Sequence, residues 1–233
     1  KKSANQEQWN LIKDKFPYLY PNTEDPNFVQ KISEKKEFND TKYDGAIYDV
    51  TIHAEKICNK KFELAPHQLF VKNFLSQETP YNSLLLYHGL GTGKTCTAIG
   101  VAEEMRSYMK QIGSIKSIIV VASPNVQENF KLQLFDPSKL ELVDGFWNSK
   151  NCLENVFLNE VNPMKAKNIS KEKIISDIQK IINNYYSFYG YTEFANLIIK
   201  NSNIDSNLVK NREKYIRKQL NQIYSGRLLI IDE

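Results

Sequence analysis

With 233 residues, 41% of them hydrophobic and 25% charged, the chain has the length and balance of a globular protein with a sizeable buried core, which excludes a low-complexity or wholly disordered segment. Its net charge of +4 is too small by itself to imply a polyanionic partner.

Residues 1 to about 60 are polar and punctuated by Pro17, Pro21, Pro26 and Gly45, so a short helix near Gln8–Phe16 followed by irregular structure is expected. Trp9, Phe16, Tyr18, Tyr20, Phe28, Phe38, Tyr43 and Tyr48 are more aromatics than a solvated tail carries, and they predict an N-terminal arm, residues 1–61, that packs against a core. The next helix opens at Leu64-Ala65-Pro66-His67-Gln68, with Pro66 suited to a first turn and Leu69, Phe70, Phe74 and Leu75 on its apolar face. The amide of Gln68 can donate and accept, as reading an adenine edge requires; a solvated helix position is the plainer alternative.

Ser83 to Thr97 reads SLLLYHGLGTGKTCT. The apolar run Leu84 to Tyr87 predicts a buried parallel strand, broken by glycines and followed by a helical pattern. Strand, Gly-rich loop, Lys-Thr and helix make a phosphate-binding loop in which Gly89, Gly91, Thr92 and Gly93 let backbone N–H groups curl around an anion. Lys94 then reaches the β and γ phosphates, and the Thr95 hydroxyl ligates Mg2+. His88 stands where the usual spacing has a small residue, and packing at the strand end explains it better than a nucleotide contact.

Ala98, Ile99, Ala102, Met105 and Met109 give the following helix one buried stripe up to Gly113. Ser117 to Ala122 predicts a second buried strand, stopped by Ser123-Pro124, so a parallel βαβ unit is expected with its ligand edge at the strand C-termini. Asn125–Leu134 reads as helix, and Phe135–Cys152 as loop with a possible strand at Leu140–Val143. Ile169–Ile182 reads as helix, Tyr185–Tyr191 as strand, and Thr192 as the cap of a helix reaching Ile199. Ser206–Tyr224 predicts a further helix in which Lys210, Arg212, Lys214, Arg217 and Lys218 face one acid, Glu213; a solvated face or a phosphate-backbone contact would explain it. Leu228 to Ile231 predicts a third strand ending in Asp232 and Glu233, the acids that in P-loop hydrolases hold Mg2+ through water and polarise the attacking water.

Cys58, Cys96 and Cys152 have neither the density of a disulfide framework nor metal-ligand spacing, and His53, His67 and His88 have no zinc spacing, so Cys96 is expected simply to pack, in a reducing compartment. No apolar run approaches the ~20 residues that cross a bilayer, and no signal peptide is visible, so no membrane partner is expected. The chain opens on Lys1-Lys2 and stops straight after a strand, and it is expected to be part of a longer polypeptide.

Gln68, GxGKT, the Ser-Pro strand end and LLIIDE together resemble the first RecA-like domain of superfamily 2 helicases and translocases. PHQ, YHGLGTGKTCTAIGVAEEM, VVASPNVQENF and YSFYGYTEF are similar to the branch found in nucleocytoplasmic large DNA viruses, which includes the poxvirus early transcription factor ATPase subunit and nucleoside triphosphate phosphohydrolase I and is related to Swi/Snf-type motors. The resemblance covers Phe62 to Glu233. It implies an α/β, RecA-like P-loop NTPase with a parallel sheet flanked by helices, occupying residues 62–233, with a mostly helical insertion over 150–225. ATP and Mg2+ are the implied cofactors. Gln68 would read adenine, Gly91, Gly93, Lys94 and Thr95 would form motif I, and Asp232 and Glu233 would begin the DExx box. Ser123, Pro124 and Asn125 would touch the nucleic-acid backbone. The implied activity is ATP hydrolysis coupled to movement on DNA or RNA. A second RecA-like lobe would supply the arginine fingers, viral transcription machinery would be a partner, and the host cytoplasm or virion would be the setting. An ATP-gated switch in a transcription assembly is the rival reading, and a small-molecule kinase a poorer one, because Glu233 beside Asp232 favours hydrolysis.

Overall fold

The computed structural model describes residues 19–58, 63–89, 91–114, 116–202 and 212–232, and the chain divides into two compact units, residues 1–89 and 90–233.

In the first unit, α1 (Phe28–Glu34), α2 (Lys36–Asn39), α3 (Val50–Cys58) and α4 (Pro66–Phe74) follow in order. The region expected to be irregular therefore holds three helices. Their apolar residues are too sparse to show a period, and Pro26, read as a breaker, lies just ahead of Asn27, where α1 begins. The core of this unit is aromatic. Ile32, Phe38, Phe74 and Tyr81 are buried, with Tyr20, Phe28 and Phe70 packed against them. Phe74 and Tyr81 stack at 4.3 Å, and the Tyr81 hydroxyl donates to Pro21 O at 2.7 Å. Arm residues thus help build this core, although Tyr43 and Tyr48 stay exposed; Trp9, Phe16, Tyr18 and the helix expected at Gln8–Phe16 lie outside the described residues.

The second unit is built on a parallel sheet. Helix α5 (Lys94–Gln111) leads to β1 (Ile118–Val121), α6 (Pro124–Leu134), the hairpin β2 (Leu140–Val143) and β3 (Phe146–Ser149), and α7 (Val156–Val161). Then come α8 (Lys171–Tyr185), β4 (Tyr186–Tyr189), α9 (Tyr191–Ser202), α10 (Arg212–Tyr224) and β5 (Leu229–Ile231). The sheet order is β4-β1-β5, with Val121 opposite both Tyr189 and Ile231, so the three strands end in one row. All four residues of β1 are buried, as a central strand covered on both faces requires. Ile99, Ala102 and Met109 of α5, Phe130 and Leu134 of α6, and Ile174 and Ile178 of α8 close over Ile118 and Val120 in one core. The second unit is an α/β structure with a three-stranded parallel sheet.

Three expectations change here. Leu84 to Tyr87 joins no ladder among the described residues, and Leu85 and Tyr87 are 86% and 94% exposed, so the run is not a buried strand. The strand expected at Leu140–Val143 forms, but the rest of the loop expected over Phe135–Cys152 also supplies its partner β3, in an antiparallel hairpin whose turn residues, Asp144 and Gly145, have φ of 53° and 84°, as a two-residue turn between twisted strands needs. Cys96 is joined by a disulfide to Cys152, with Cα atoms 5.4 Å apart, so the start of α5 is tied to the segment after β3. The pairing spans 56 positions of sequence, a separation that no spacing rule anticipates.

One polar network sits inside this core. Arg106 of α5 is 4% exposed, donates from Nε to both carboxylate oxygens of Glu103 at 3.0 and 2.8 Å, and reaches Glu160 of α7 at 2.9 Å. The Tyr186 hydroxyl donates to Glu103 at 2.5 Å, and the guanidinium lies over the Phe157 and Tyr185 rings. Burial, then the charge of Glu103, pushes the Tyr186 hydroxyl well above its usual pKa, while burial opposes the charge on Arg106 and its hydrogen bonds to Glu103 more than restore it. The network joins α5, α7 and β4.

Two stability predictions result. Arg106→Ala leaves Glu103 buried without its cation and should cost about 3–5 kcal/mol, read by urea denaturation; a loss below about 1 kcal/mol would contradict the buried pair. The disulfide should contribute about 2–4 kcal/mol. Reductant should therefore lower the unfolding temperature of the wild type by about 5–15 °C and leave that of Cys152→Ser unmoved.

Candidate nucleotide-binding site

The glycines of the loop have the backbone that its chemistry needs. Gly91 and Gly93 both have φ of 79°, and Gly93, in the left-handed region, is the residue from which α5 starts. Its carbonyl accepts from the Thr97 backbone N–H at 2.9 Å and from the Thr97 hydroxyl at 3.0 Å, which fixes the first turn. Gly91 and Thr92 are exposed, and Gly93, Lys94 and Thr95 are half-buried. An 18-residue helix therefore presents its N-terminus, and the positive end of its dipole, at an accessible loop carrying Lys94 and Thr95. This arrangement can hold a phosphate.

One acid lies at the end of the sheet. Asp232 follows β5 directly, its N–H donates to Val121 O at 3.0 Å, and its carbonyl accepts from the Tyr191 hydroxyl at 2.5 Å. Ala122 donates to Tyr189 O at 3.1 Å, and Ser123 then starts α6 with Pro124 in its first turn. Asp232, Ser123 and Tyr191 thus share the C-terminal edge of the sheet, where open α/β sheets bind ligands. Tyr191 escaped the sequence reading, since its tie to Asp232 spans 41 positions. Helix α9 also begins at Tyr191, one residue before the expected cap Thr192, and Glu193 accepts from the Gly190 N–H at 3.3 Å instead.

The other expected site residues fall as follows. Gln68, in the first unit, is buried, and its Oε1 accepts from the Ala65 N–H at 2.9 Å, closing the first turn of α4. Gly89 ends the first unit, and the His88 ring meets that of His67 edge-on at 5.4 Å. Pro124 and Asn125 are exposed, as are Lys214, Arg217 and Lys218 on α10, which begins at Arg212; Lys210 and Glu233 lie outside the described residues. Among the described residues no group of three or more His, Cys, Asp or Glu side chains could hold a metal ion, and no helix is long and apolar enough to cross a membrane.

Known viral proteins are similar to this sequence. It is 32% identical over 183 residues to the "Putative ATP-dependent RNA helicase R563" of Acanthamoeba polyphaga mimivirus, covering 78% of this chain and 28% of that protein. The chain is a relative of the viral superfamily 2 helicases. A second mimivirus protein of the same name, L377, is 24% identical over 219 residues, covering 88% of this chain and 17% of its own length. The "Early transcription factor large subunit homolog" of African swine fever virus (isolate Pig/Kenya/KEN-50/1950) is 26% identical over 216 residues, covering 76% of this chain and 18% of its own. The chain thus spans little more than a quarter, or less, of these viral relatives. No protein-family model matches the chain, and no solved structure matches it.

The loop geometry yields a test. Gly93→Ala places a Cβ in the left-handed region and should lower stability by about 1–2 kcal/mol in chemical denaturation. An unchanged midpoint would mean that α5 can start without that conformation.

Proposed function

We propose that the chain carries the nucleotide-binding part of a RecA-like lobe in an ATP-dependent nucleic-acid motor of viral transcription or genome handling. One observation carries the reading: Gly91 and Gly93 hold left-handed conformations where GxGKT opens a long helix, leaving Lys94 and Thr95 half-buried at its start. The helicase names of the mimivirus relatives support it.

In this reading the N–H groups at the start of α5 and the Lys94 ammonium neutralise the β and γ phosphates. The Thr95 hydroxyl and the Asp232 carboxylate, hard oxygen donors, suit Mg2+, which supplies charge neutralisation at the transferred phosphoryl group when bound. Asp232 is positioned for this by two backbone anchors, its N–H on Val121 and its carbonyl under the Tyr191 hydroxyl. Glu233 aligns the attacking water as a base. Ser123, Pro124 and Asn125, with Lys210, Arg212, Lys214, Arg217 and Lys218, face DNA or RNA, and an arginine from a second RecA-like lobe completes the γ-phosphate site. Residues 62–233 form the lobe, in which β4 within 150–225 belongs to the central sheet, and 1–61 an arm, working in the host cytoplasm or virion.

A second reading, an ATP-gated switch in a transcription assembly that does not translocate, is favoured by the African swine fever virus relative named as a transcription factor subunit. ATP binding is common to both, and translocation separates them.

The test is nucleotide-induced stabilisation of the full-length protein. Saturating Mg-ATP should raise the unfolding temperature of the wild type and leave Lys94→Ala unmoved, because a ligand that binds the native state alone stabilises it in proportion to its occupancy. An equal rise in the variant would contradict the role of Lys94.

A further inference from the structure

The segment between the hairpin and α8 contains a cavity of about 430 Å3, remote in sequence from the phosphate loop and within the volume range of small-ligand sites. Its lining includes two aromatics, Phe146 and Trp147 of β3. The Trp147 indole is held in place, its Nε1–H donating to Ile169 O at 2.8 Å. Asparagines line it too. Asn155 accepts from the Ser149 N–H at 2.9 Å and donates to Asn148 Oδ1 at 3.1 Å, which orients Asn148 and leaves its own amide N–H groups without a partner among the described residues. Asn159, one turn along α7, likewise has both ends of its amide unpartnered among them. A space lined by aromatics, a free amide donor and a free donor-acceptor amide matches the face and edge of a nucleobase.

The lining carries one cation, Lys165, and one acid, Asp144, with a second lysine beside Phe146. The Lys167 ammonium lies 5.0 Å from the centre of the Phe146 ring. Neither lysine forms an ion pair among the described residues, and Pro163 to Lys173 carries four lysines against one glutamate. The rim backbone is held in an uncommon form: Asp144, Lys165 and Asn168 have φ of 53°, 50° and 58°, and the Asn168 N–H ties the loop to the hairpin through Gly145 O at 3.2 Å. A left-handed lysine at the rim of a cavity it also lines fits a side chain positioned for a ligand.

We infer that this cavity takes one unpaired base of a single nucleic-acid strand, with the adjoining phosphates at Lys165 and Lys167. A base locked in a duplex cannot enter, and a lining lysine with a second beside Phe146 suits a continuing strand better than a free nucleotide. The inference rests on the nucleic-acid part of the proposed function and places a contact outside the Ser123–Asn125 and α10 surfaces.

The test uses the full-length protein with labelled dT20 and rU20 strands, a 20-base-pair duplex and uridine monophosphate. Asn159→Leu and the pair Lys165→Glu/Lys167→Glu change exposed side chains, and their unfolding temperatures confirm that they fold. Each should weaken binding of the strand that the protein prefers by about 5- to 100-fold, leaving duplex affinity and Mg-ATP binding unchanged. Strands carrying 5-iodouracil should photo-crosslink to Phe146 or Trp147 in the wild type, and the relative affinities of dT20 and rU20 identify DNA or RNA as the source of the base. Strand affinity within twofold of wild type in both variants, with crosslinks elsewhere, would overturn the cavity while leaving the motor reading intact. Uridine monophosphate competing at the affinity of the strand would also overturn it, and absence of any strand binding would remove the cavity and the nucleic-acid reading together.

Discussion

The second unit depends on the burial of β1. Four consecutive apolar residues, Ile118 to Val121, are covered on both faces, and this requires a parallel neighbour on each edge and helices above and below. Once β4 and β5 are in register with it, their C-terminal ends are fixed in a row, so that Ser123, Tyr191 and Asp232 share one edge of the sheet although they lie far apart in sequence. The catalytic expectation attached to Asp232 is thus a consequence of core packing, since its N–H is bonded to the last residue of the buried strand.

The helix carrying the phosphate loop is held to the same core by three kinds of force. Ile99, Ala102 and Met109 bury apolar surface against the sheet, the Cys96–Cys152 disulfide fixes its first turns, and the Glu103–Arg106 pair reaches Tyr186 and Glu160. A buried ion pair is a costly way to pack a helix, and its satisfied hydrogen bonds specify one orientation of α5 more sharply than apolar contacts do. Glu160 shows the electrostatic consequence. Although burial raises its pKa, hydrogen bonds from Lys110 and Arg106 bring it below the usual carboxylate value, so what it contributes to stability is complete above a pH of about 4.5 and fades as the pH falls further.

Much of this second unit was legible in the sequence because its signals are local. Apolar runs predict β1, β4 and β5, three-and-four spacing predicts α5 and α8, and GxGKT predicts a left-handed turn into a helix. What escaped depends on partners distant along the chain. Leu84 to Tyr87 reads as a strand, yet no ladder among the described residues receives it; the disulfide and the tie from Tyr191 to Asp232 leave no pattern in spacing. The hairpin at Asp144-Gly145 is a different case, because that dipeptide is a strong turn signal whose flanking strands were too short to support it. In the first unit the short helices follow from aromatic packing around Phe38, Phe74 and Tyr81, which no periodicity announces.

Steady-state ATP turnover of the full-length protein tests whether the GxGKT loop and the acids after β5 belong to an ATPase that responds to nucleic acid. Turnover should be measured without nucleic acid and with single strands, duplex DNA and RNA. The account predicts Mg-dependent hydrolysis that at least one of these polymers stimulates severalfold. Turnover indifferent to every polymer would contradict the motor reading, and absence of hydrolysis under all four conditions would contradict the ATPase itself.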